Sequence, residues 1–311
     1  MRTYRSLKRV LAWSTATAVA GAYYHHSQLQ PRNKEEDTLN EKNVPLFEWS
    51  SIPQSIAHKY VAPYPETGTL WNMGRTAVMG GVGLFAKFFL KYLANTEVHG
   101  LDRFIDIVEC DRNRGLITVS NHVSVWDDPL LWGVLPTRVL FSVDKMRWVL
   151  GAADICFTTR PKGLFFSWGQ AIPTIRGIGI FQPAVDFAVH KCNRNGWIHI
   201  YPEGRVNQTA TMLRFKWGVS RIIMESERCP LVIPIWHEGM QHVRPLRGPF
   251  VRLFQPITLV FGDPIDFQDI LKAWKAGELD DAETRIRIAT TIYKALEELK
   301  KETQILQATH E

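Results

Sequence analysis

Short apolar runs rich in β-branched residues alternate with amphipathic segments, and this alternation constrains the fold of the 311-residue chain more than any other feature. The apolar runs predict strands at residues 115–120, 139–143, 197–201, 231–236 and 257–261. The amphipathic segments predict helices at residues 129–135, 182–192, 213–225 and 281–304. Strands that alternate with helices favour an α/β fold, in which helices flank a largely parallel, twisted sheet.

The N-terminal segment carries the net charge of the chain. Residues 1–34 contain six Lys or Arg and no acidic residue, whereas the full chain has 37 basic and 31 acidic residues and a net charge of +6. The remainder is therefore formally neutral, which argues against a nucleic-acid-binding body, because such a body needs basic residues gathered on a folded face. A basic, acid-free start before a short apolar run is typical of a mitochondrial targeting or anchor segment, and a secretory signal peptide is the alternative.

Three segments are predicted along the chain: a targeting or anchor segment at 1–34, a linker and pre-domain segment at 35–70, and one folded domain at 71–311. Residues 71–93 begin this domain with a helix. Its apolar positions recur at helical spacing and are Gly81, Leu84, Phe85, Phe88, Phe89 and Tyr92. Because Arg75, Lys87 and Lys91 interrupt the apolar run, we expect the helix to lie in a membrane interface. A helix packed on its own domain is the alternative.

The sharpest local motif is Ser-Asn-His-Val-Ser-Val-Trp-Asp-Asp-Pro at residues 120–129. His122 lies just past the carboxyl end of a predicted strand, and Asp127 lies at the start of the next helix. Such a strand–turn–helix junction can bring the carboxylate onto one imidazole nitrogen and leave the other nitrogen able to accept a proton. The motif predicts that His122 is a general base oriented by Asp127, while Asp128 has the ordinary role of a helix cap.

The sequence lacks the motifs of three other kinds of site: a serine hydrolase, a zinc metalloprotease and a redox dithiol. The sequence has no G-x-S-x-G motif, and Ser124 lies only two residues from His122, a poor position for an independent nucleophile. His237 and His242 are five residues apart across Gly239, whereas the metalloprotease motif needs a spacing of four on one helix. The four cysteines form no C-x-x-C pair. Because the motif supplies a base but no protein nucleophile, we expect the substrate to supply the attacking hydroxyl. We also expect the reaction to use no metal ion and no cofactor.

A second group of residues suits an anionic ligand. The sequence Tyr-Pro-Glu-Gly-Arg follows the predicted strand that ends near residue 201, so Glu203 and Gly204 lie at a strand end. Arg205 and Lys216 could offer cations to a phosphate headgroup. Arg176 stands between an apolar run and a glycine, another candidate phosphate-binding turn. The predicted substrate-binding residues are therefore Arg176, Glu203, Gly204, Arg205 and Lys216.

Taken in order, N-H-x-S-x-x-D-D-P at residues 121–129, Arg-Gly at 176–177 and Pro-Glu-Gly at 202–204 resemble the glycerolipid acyltransferase superfamily, known for an H-x4-D motif and a later P-E-G motif. Longer stretches are similar to its tafazzin branch: LWG at 131–133, MRW at 146–148, AADICFT at 152–158, FFS at 165–167, WIHIYPEG at 197–204 and RFKWG at 214–218. The resemblance covers residues 71–267. It implies a glycerolipid acyltransferase-like sheet, with His122 as the base, Asp127 as its partner, and Glu203 as the P-E-G glutamate. The N-terminal membrane-associated helices expected before this sheet rest on the composition and spacing described above.

The same resemblance implies a phospholipid–lysophospholipid transacylase that remodels cardiolipin without acyl-CoA. The expected partners are phospholipid and lysophospholipid substrates, a membrane surface bound monotopically and further copies of the chain, with no nucleic acid. The expected location is a mitochondrial membrane, facing the intermembrane space. An acyl-CoA-dependent lysophosphatidate-type acyltransferase is the alternative enzyme, and a scaffold that only binds lipid is the non-enzymatic alternative.

Overall fold

The computed structural model describes residue 52, residues 59–60, residues 68–246 and residues 250–310. The predictions for residues 1–34 and for most of residues 35–70 lie outside these described residues. The strands are β1 (Asn95–His99), β2 (Leu116–Ser120), β3 (Trp148–Ala152), β4 (Ala171–Thr174), β5 (Trp197–Ile200), β6 (Leu231–Glu238) and β7 (Pro256–Phe261). The helices are α1 (Thr69–Phe88), α2 (Leu101–Glu109), α3 (Asp127–Leu131), α4 (Thr137–Leu140), α5 (Ala153–Cys156), α6 (Arg160–Trp168), α7 (Pro183–Asn193), α8 (Gly218–Glu225), α9 (Met240–Val243), α10 (Gln268–Lys275) and α11 (Asp281–His310). A π-helical turn (Phe89–Leu93) extends α1, and a 3₁₀ turn (Trp132–Val134) extends α3.

The strands form one seven-stranded sheet in the order β1-β7-β6-β2-β5-β3-β4. The central strand β2 pairs in parallel with β5 and β6, and β3 is parallel to both β5 and β4. β6 and β7 are antiparallel, so β7 and its parallel partner β1 run against the other strands. The prediction of a largely parallel sheet flanked by helices is confirmed. The carboxyl ends of β2, β5 and β6 meet at one edge, where open α/β sheets gather ligands.

Helices cover both faces of the sheet because alternate residues of its strands point to opposite sides. All five residues of β2 are buried. Ile117 and Val119 face a core formed with α7, α8, α10 and α11, whereas Leu116 faces a core formed with α1 to α4. The helix predicted at residues 281–304 is confirmed as α11, and one apolar stripe on it lies in the first of these cores: Ile288, Ile292, Leu296 and Leu299.

Helix α1 has two different sides. Its buried side packs on α3, α4, α6 and the 3₁₀ turn, and its residues are Trp71, Arg75, Met79, Gly80, Gly83 and Ala86. The 3₁₀ turn lies so close to α1 that its Gly133 has no room for a side chain. A Cβ on Gly133 would lie 2.6 Å from the backbone carbonyl carbon of Ala86. The opposite side exposes Met73, Leu84 and Phe88, and the π-helical turn that follows exposes Tyr92. By length and composition Thr69–Leu93 could also cross a membrane, with 33% of its most apolar window buried in the protein. Packing along one side favours a helix that lies along the domain surface.

One predicted strand is wrong, and one predicted helix begins later than predicted. Residues 139–143 are not a strand, because Thr137–Leu140 forms α4 and buries Val139 and Leu140 in the α1-side core. A short apolar run fits a buried helical turn as well as a strand. The helix predicted from residue 213 begins only at Gly218, since the N–H of Leu213 donates to Glu203 and the N–H of Lys216 donates to the Pro202 carbonyl.

Candidate active site

His122 and Asp127 meet across the turn between β2 and α3, residues 121–127, here named the His122 turn. Nδ1 of His122 lies 2.9 Å from Oδ2 of Asp127. The same oxygen accepts hydrogen bonds from the backbone N–H groups of Val123 at 2.6 Å and Ser124 at 2.8 Å, which stabilise a carboxylate that is fully buried. The His122 side chain remains 19% exposed. Donation from Nδ1 to Asp127 selects the tautomer in which Nε2 can accept a proton.

Asn121 ties the His122 turn to the end of β6. Nδ2 of Asn121 donates to the backbone carbonyl of His237 at 2.8 Å, and the N–H of His237 donates to Oδ1 of Asn121 at 3.1 Å. Nε2 of His237 donates to the Asn121 carbonyl at 2.9 Å and lies 3.7 Å from Oδ2 of Asp127. Burial lowers the pKa of His237, so this ring is neutral at neutral pH. These bonds, the Asn121–His237 clasp, hold the turn against a neighbouring strand.

Two rings from β5 and its end support His122. Tyr201 stacks on His122 with ring centroids 4.1 Å apart and an interplanar angle of 22°. The Tyr201 ring meets His199 edge-on at 4.5 Å. Nδ1 of His199 lies 2.8 Å from Oγ1 of Thr118, and Nε2 lies 3.4 Å from Oγ of Ser120. Burial lowers the pKa of His199 to about 3, so a neutral ring contacts the hydroxyl groups of Thr118 and Ser120 on the neighbouring strand β2.

Asp128 belongs to an ion pair, and its predicted role as a helix cap is wrong. Nε of Arg147 donates to Oδ1 of Asp128 at 3.1 Å, and Nη2 donates to Oδ2. Nε1 of Trp132 adds a hydrogen bond to Oδ1 at 3.2 Å, while α3 has no side-chain cap. Burial alone would raise the pKa of Asp128, but the Arg147 guanidinium holds that pKa below its ordinary value.

Glu203 organises the loop after β5 and is 3% exposed. Its Oε2 accepts hydrogen bonds from Nδ2 of Asn207 at 2.7 Å and from the N–H of Leu213 at 2.9 Å. Its Oε1 lies 3.4 Å from the N–H of His122, and the N–H of Asn207 donates to the His122 carbonyl at 2.6 Å. The Glu203 carboxylate is thus engaged inside the protein, where it joins this loop to the His122 turn. Gly204, at φ +71°, adopts the left-handed conformation that the loop requires.

A cleft of about 480 Å³ opens beside the His122 turn and is lined by residues 205–209, Leu213, Pro245 and Leu246. Gln208 connects the two features, because its Nε2 donates to the Val123 carbonyl at 2.8 Å. Arg205 and Lys216 are both exposed, and the Lys216 side chain passes close to Gly204. These two cations therefore lie in the loop that joins the cleft to the His122 turn.

Arg176 lies apart from the other predicted site residues. It follows β4, which is separated from β2 by β5 and β3, so it is about 14 Å from the His122 strand at about 4.8 Å per strand. Its guanidinium pairs with Asp154 and is 46% exposed. The structure brings His122, Asp127, Glu203, Gly204, Arg205 and Lys216 into one region, and it does not bring Arg176 there.

Sequence reasoning missed several supporting residues: Asn121, Arg147, His199, Tyr201 and His237. The available signal was a histidine inside a buried apolar strand, as in WIHIY and IPIWHE. The spacing of His237 and His242 does not match a metal-binding motif, and the structure buries His237 in β6 while His242 is exposed on α9. In the described part of the chain, no three His, Cys, Asp or Glu side chains are grouped as metal ligands.

The arrangement can perform base catalysis on a hydroxyl that the substrate brings. Ser124, the hydroxyl residue nearest to His122 in the turn, is fully buried. Its Oγ lies 3.3 Å from the Arg244 carbonyl, to which it donates, and accepts from the N–H of Trp126 at 3.3 Å. Ser124 therefore shapes the turn, while His122 keeps one nitrogen for proton transfer.

A protein-family model described as Acyltransferase matches residues 95–238, from β1 to the end of β6. The chain is similar to Tafazzin of Drosophila melanogaster, with 39% identity over 76% of this chain and 63% of that relative. It is 37% identical to Taffazin of Dictyostelium discoideum over 62% of this chain and 70% of that relative. It is 36% identical to N-acylphosphatidylethanolamine synthase of Arabidopsis thaliana over 64% of this chain and 72% of that relative. Among solved structures, the 1-acyl-sn-glycerophosphate (LPA) acyltransferase PlsC of Thermotoga maritima matches with a TM-score of 0.49 and 20% identity, covering 73% of this chain and 81% of that one.

The family match assigns residues 95–238 to the acyltransferase class, and the contact between His122 and Asp127 lies at the strand ends of this matched domain. Within that class, the chain belongs to the tafazzin family. Its match spans 63% of the length of the Drosophila relative.

Proposed function

We propose that the chain is a phospholipid–lysophospholipid transacylase that remodels cardiolipin acyl chains without acyl-CoA. The observation that carries the proposal is the contact between Nδ1 of His122 and Asp127 at 2.9 Å, in a member of the tafazzin family. This contact leaves Nε2 to accept a proton, and the cleft beside the turn gives room for a substrate headgroup.

The proposed reaction needs one base in two steps. Nε2 of His122 takes the proton of the free lysophospholipid hydroxyl as that oxygen attacks the ester carbonyl of a phospholipid. The tetrahedral intermediate then collapses, its ester C–O bond breaks, and the imidazolium returns the proton to the leaving oxygen. Asp127 stabilises the imidazolium between these steps. Because both oxygens belong to glycerol, the same residues serve both directions, and neither CoA nor a metal ion takes part.

Headgroup binding is proposed for Arg205 and Lys216, whose exposed cations flank the loop at the cleft. Glu203 and Gly204 would act by holding this loop against His122. Arg176 lies too far along the sheet to share one headgroup with His122, so it would contact only a more distant phosphate.

The proposed location is a mitochondrial membrane, facing the intermembrane space, with residues 1–34 supplying the targeting or anchor segment. The basic, acid-free composition of that segment supports this location. The protein would bind the membrane surface monotopically through α1, whose outer side exposes apolar residues. Assembly of further copies is part of the same proposal.

A second candidate is acyl transfer to the amine of phosphatidylethanolamine, which is favoured by the Arabidopsis relative named for N-acylphosphatidylethanolamine synthesis. The same base could take a proton from an attacking amine. The two candidates differ in the bond that is formed, an ester in one case and an amide in the other.

The test uses CoA-stripped protein and a phospholipid donor labelled in its acyl chain. One arm offers a lysophospholipid acceptor, a second offers phosphatidylethanolamine, and a third adds acyl-CoA in place of the phospholipid donor. We expect label in the lysophospholipid ester without CoA, in both directions, with an unchanged rate in chelator and a loss with His122→Ala. Transfer only from acyl-CoA would contradict the proposal in favour of the alternative acyltransferase, and an amide product alone would favour the second candidate.

A further inference from the structure

A line of buried hydrogen bonds runs from β5 to β2 below the His122 turn, and the proposed reaction does not use it directly. It starts at the indole of Trp197 on β5, whose Nε1 donates to Oγ1 of Thr118 on β2 at 2.8 Å. Oγ1 of Thr118 also lies 2.8 Å from Nδ1 of His199. All three side chains are buried, so their polar atoms must satisfy one another.

The direction of the first bonds follows from the indole. An indole N–H can only donate, so Thr118 accepts from Trp197 and passes on its own hydroxyl proton. Among the described residues, Nδ1 of His199 is the one acceptor that this hydroxyl contacts. Burial, which lowers the pKa of His199, keeps its ring neutral. Nδ1 therefore accepts, and the single ring proton lies on Nε2.

The line of bonds ends on the peptide group that precedes His122. Nε2 of His199 lies 3.4 Å from Oγ of Ser120, and Ser120 donates its hydroxyl proton to the Asn121 carbonyl at 3.1 Å. A carbonyl oxygen can only accept, so the direction set at Trp197 agrees with the direction required at Asn121. The opposite tautomer of His199 would face Ser120 with an unprotonated Nε2, although the Ser120 proton is already given to Asn121.

The same peptide group is held from two further directions. Nε2 of His237 donates to the Asn121 carbonyl at 2.9 Å. The N–H of this peptide group belongs to His122 and lies 3.4 Å from Oε1 of Glu203. A peptide group that is held at both its oxygen and its nitrogen fixes the backbone from which the His122 ring reaches Asp127.

We propose that these bonds, here named the Trp197–Asn121 chain, position His122 for proton transfer. Thr118, His199 and Ser120 are fully buried, so they act through the Asn121 carbonyl and not by contact with a substrate. The inference rests on the proposed function, in which His122 is the general base. A displacement of about 1 Å at such a group can cost about 10²-fold in rate, so a base on a turn gains from a carbonyl that cannot shift.

The first test removes single hydroxyl groups from the chain. Thr118→Val should lower kcat of acyl transfer about tenfold or more and leave KM unchanged, because His122 shifts while the cleft is untouched. Thr118→Ser keeps the hydroxyl and should keep the rate, although it removes a buried methyl group. Ser120→Ala breaks the chain at its other end and should lower kcat to a similar extent. The double variant should lose no more than the weaker enzyme of the two single variants, because both substitutions interrupt one chain.

The matched control is Thr258→Val. Thr258 is a buried threonine of β7, and its hydroxyl oxygen accepts a hydrogen bond from Nε2 of Gln307 at 3.1 Å. This control should keep the kcat of the unchanged protein. An equal loss in Thr258→Val, a multiplied loss in the double variant, or an unchanged kcat in both Thr118→Val and Ser120→Ala would overturn the proposal.

The second test observes the chain without an activity assay, by nuclear magnetic resonance of protein labelled with ¹⁵N at histidine. His199 should carry its proton on Nε2, and His122 should show a downfield Nδ1 proton from its contact with Asp127. Thr118→Val should weaken or remove this His122 signal, whereas Thr258→Val should keep it. A His199 ring protonated on Nδ1 in the unchanged protein would overturn the proposal. Loss of the His122 signal in Thr118→Val, in a protein that transfers no acyl group, would support the positioning role and contradict the proposed function instead.

Discussion

At the level of single residues, the carboxylate of Asp127 contacts His122, whereas that of Asp128 contacts Arg147. His122 itself is partly exposed at the end of β2 and contributes little to either core. His122→Ala should therefore lower the acyl-transfer rate by about 10²–10⁴, the usual contribution of a general base, and leave the unfolding midpoint nearly unchanged. Initial rates and thermal unfolding of the purified variant measure both effects. A folded variant that keeps more than half of the rate would contradict the assignment.

The two neighbouring aspartates should respond differently to the same substitution. Asp127→Asn removes the charge that stabilises protonated His122, so the rate should fall by about 10²-fold or more. Asp128→Asn breaks a partly buried pair with Arg147, so the free energy of unfolding should fall by about 3 kcal/mol. Rates and denaturant unfolding, measured on both variants, separate the two roles. A larger loss of rate in Asp128→Asn than in Asp127→Asn would reverse the assignment.

His199 should make the fold sensitive to acid. Burial lowers its pKa from 6.5 to about 3, so below pH 6.5 the unfolded chain binds a proton that the folded chain does not. The free energy of unfolding should therefore fall as the pH drops from about 6.5 towards 3, by up to about 1.4 kcal/mol per pH unit. Denaturant unfolding across this range should show a shallower slope in His199→Gln. The control is His242→Gln, an exposed position on α9, which should keep the original slope.

At the level of elements, two glycines test how closely α1 packs. Gly133→Ala forces a Cβ to within 2.6 Å of the α1 backbone, and it should lower the free energy of unfolding by about 1–3 kcal/mol. Gly81 lies on the exposed side of α1 with no atom near its missing Cβ, so Gly81→Ala should raise stability by up to about 1 kcal/mol. Chemical unfolding of both variants checks the opposite signs, and a destabilised Gly81→Ala would contradict the described orientation of α1.

The elements that could be predicted from the sequence are those whose pattern is local. β2, β5 and β6 are nearly continuous apolar runs, and His122 lies only five residues from Asp127, so each was predictable. β1 and β4 read NTEVH and AIPT, short runs that have no strong alternation, and they become strands because neighbours pair with them. The Asn121–His237 clasp joins residues 116 positions apart, and no local pattern shows such a partner.

At the level of the whole molecule, targeting and catalysis should separate. Residues 1–34 hold six basic residues and no acidic residue, whereas the site residues lie beyond residue 120. Deletion of residues 1–34 should misdirect the protein in cells and leave the proposed transacylase activity on liposomes intact. Fractionation of cells and a liposome assay of the purified deletion variant measure the two properties. A deletion variant that still reaches mitochondria normally would contradict the targeting role.

The central place of β2 in the sheet affects the order in which the protein matures during translation. Thr118 of β2 bonds to Trp197, 79 residues later, and Asn121 bonds to His237, 116 residues later. A ribosome that adds about 5–20 residues per second leaves β2 without its last neighbour for roughly ten seconds. During that interval the strand has unpaired edges, which make an incompletely folded chain prone to aggregation. The site is therefore completed late in translation, and a chain released before β6 emerges would carry His122 and Asp127 without the Asn121–His237 clasp that holds their turn.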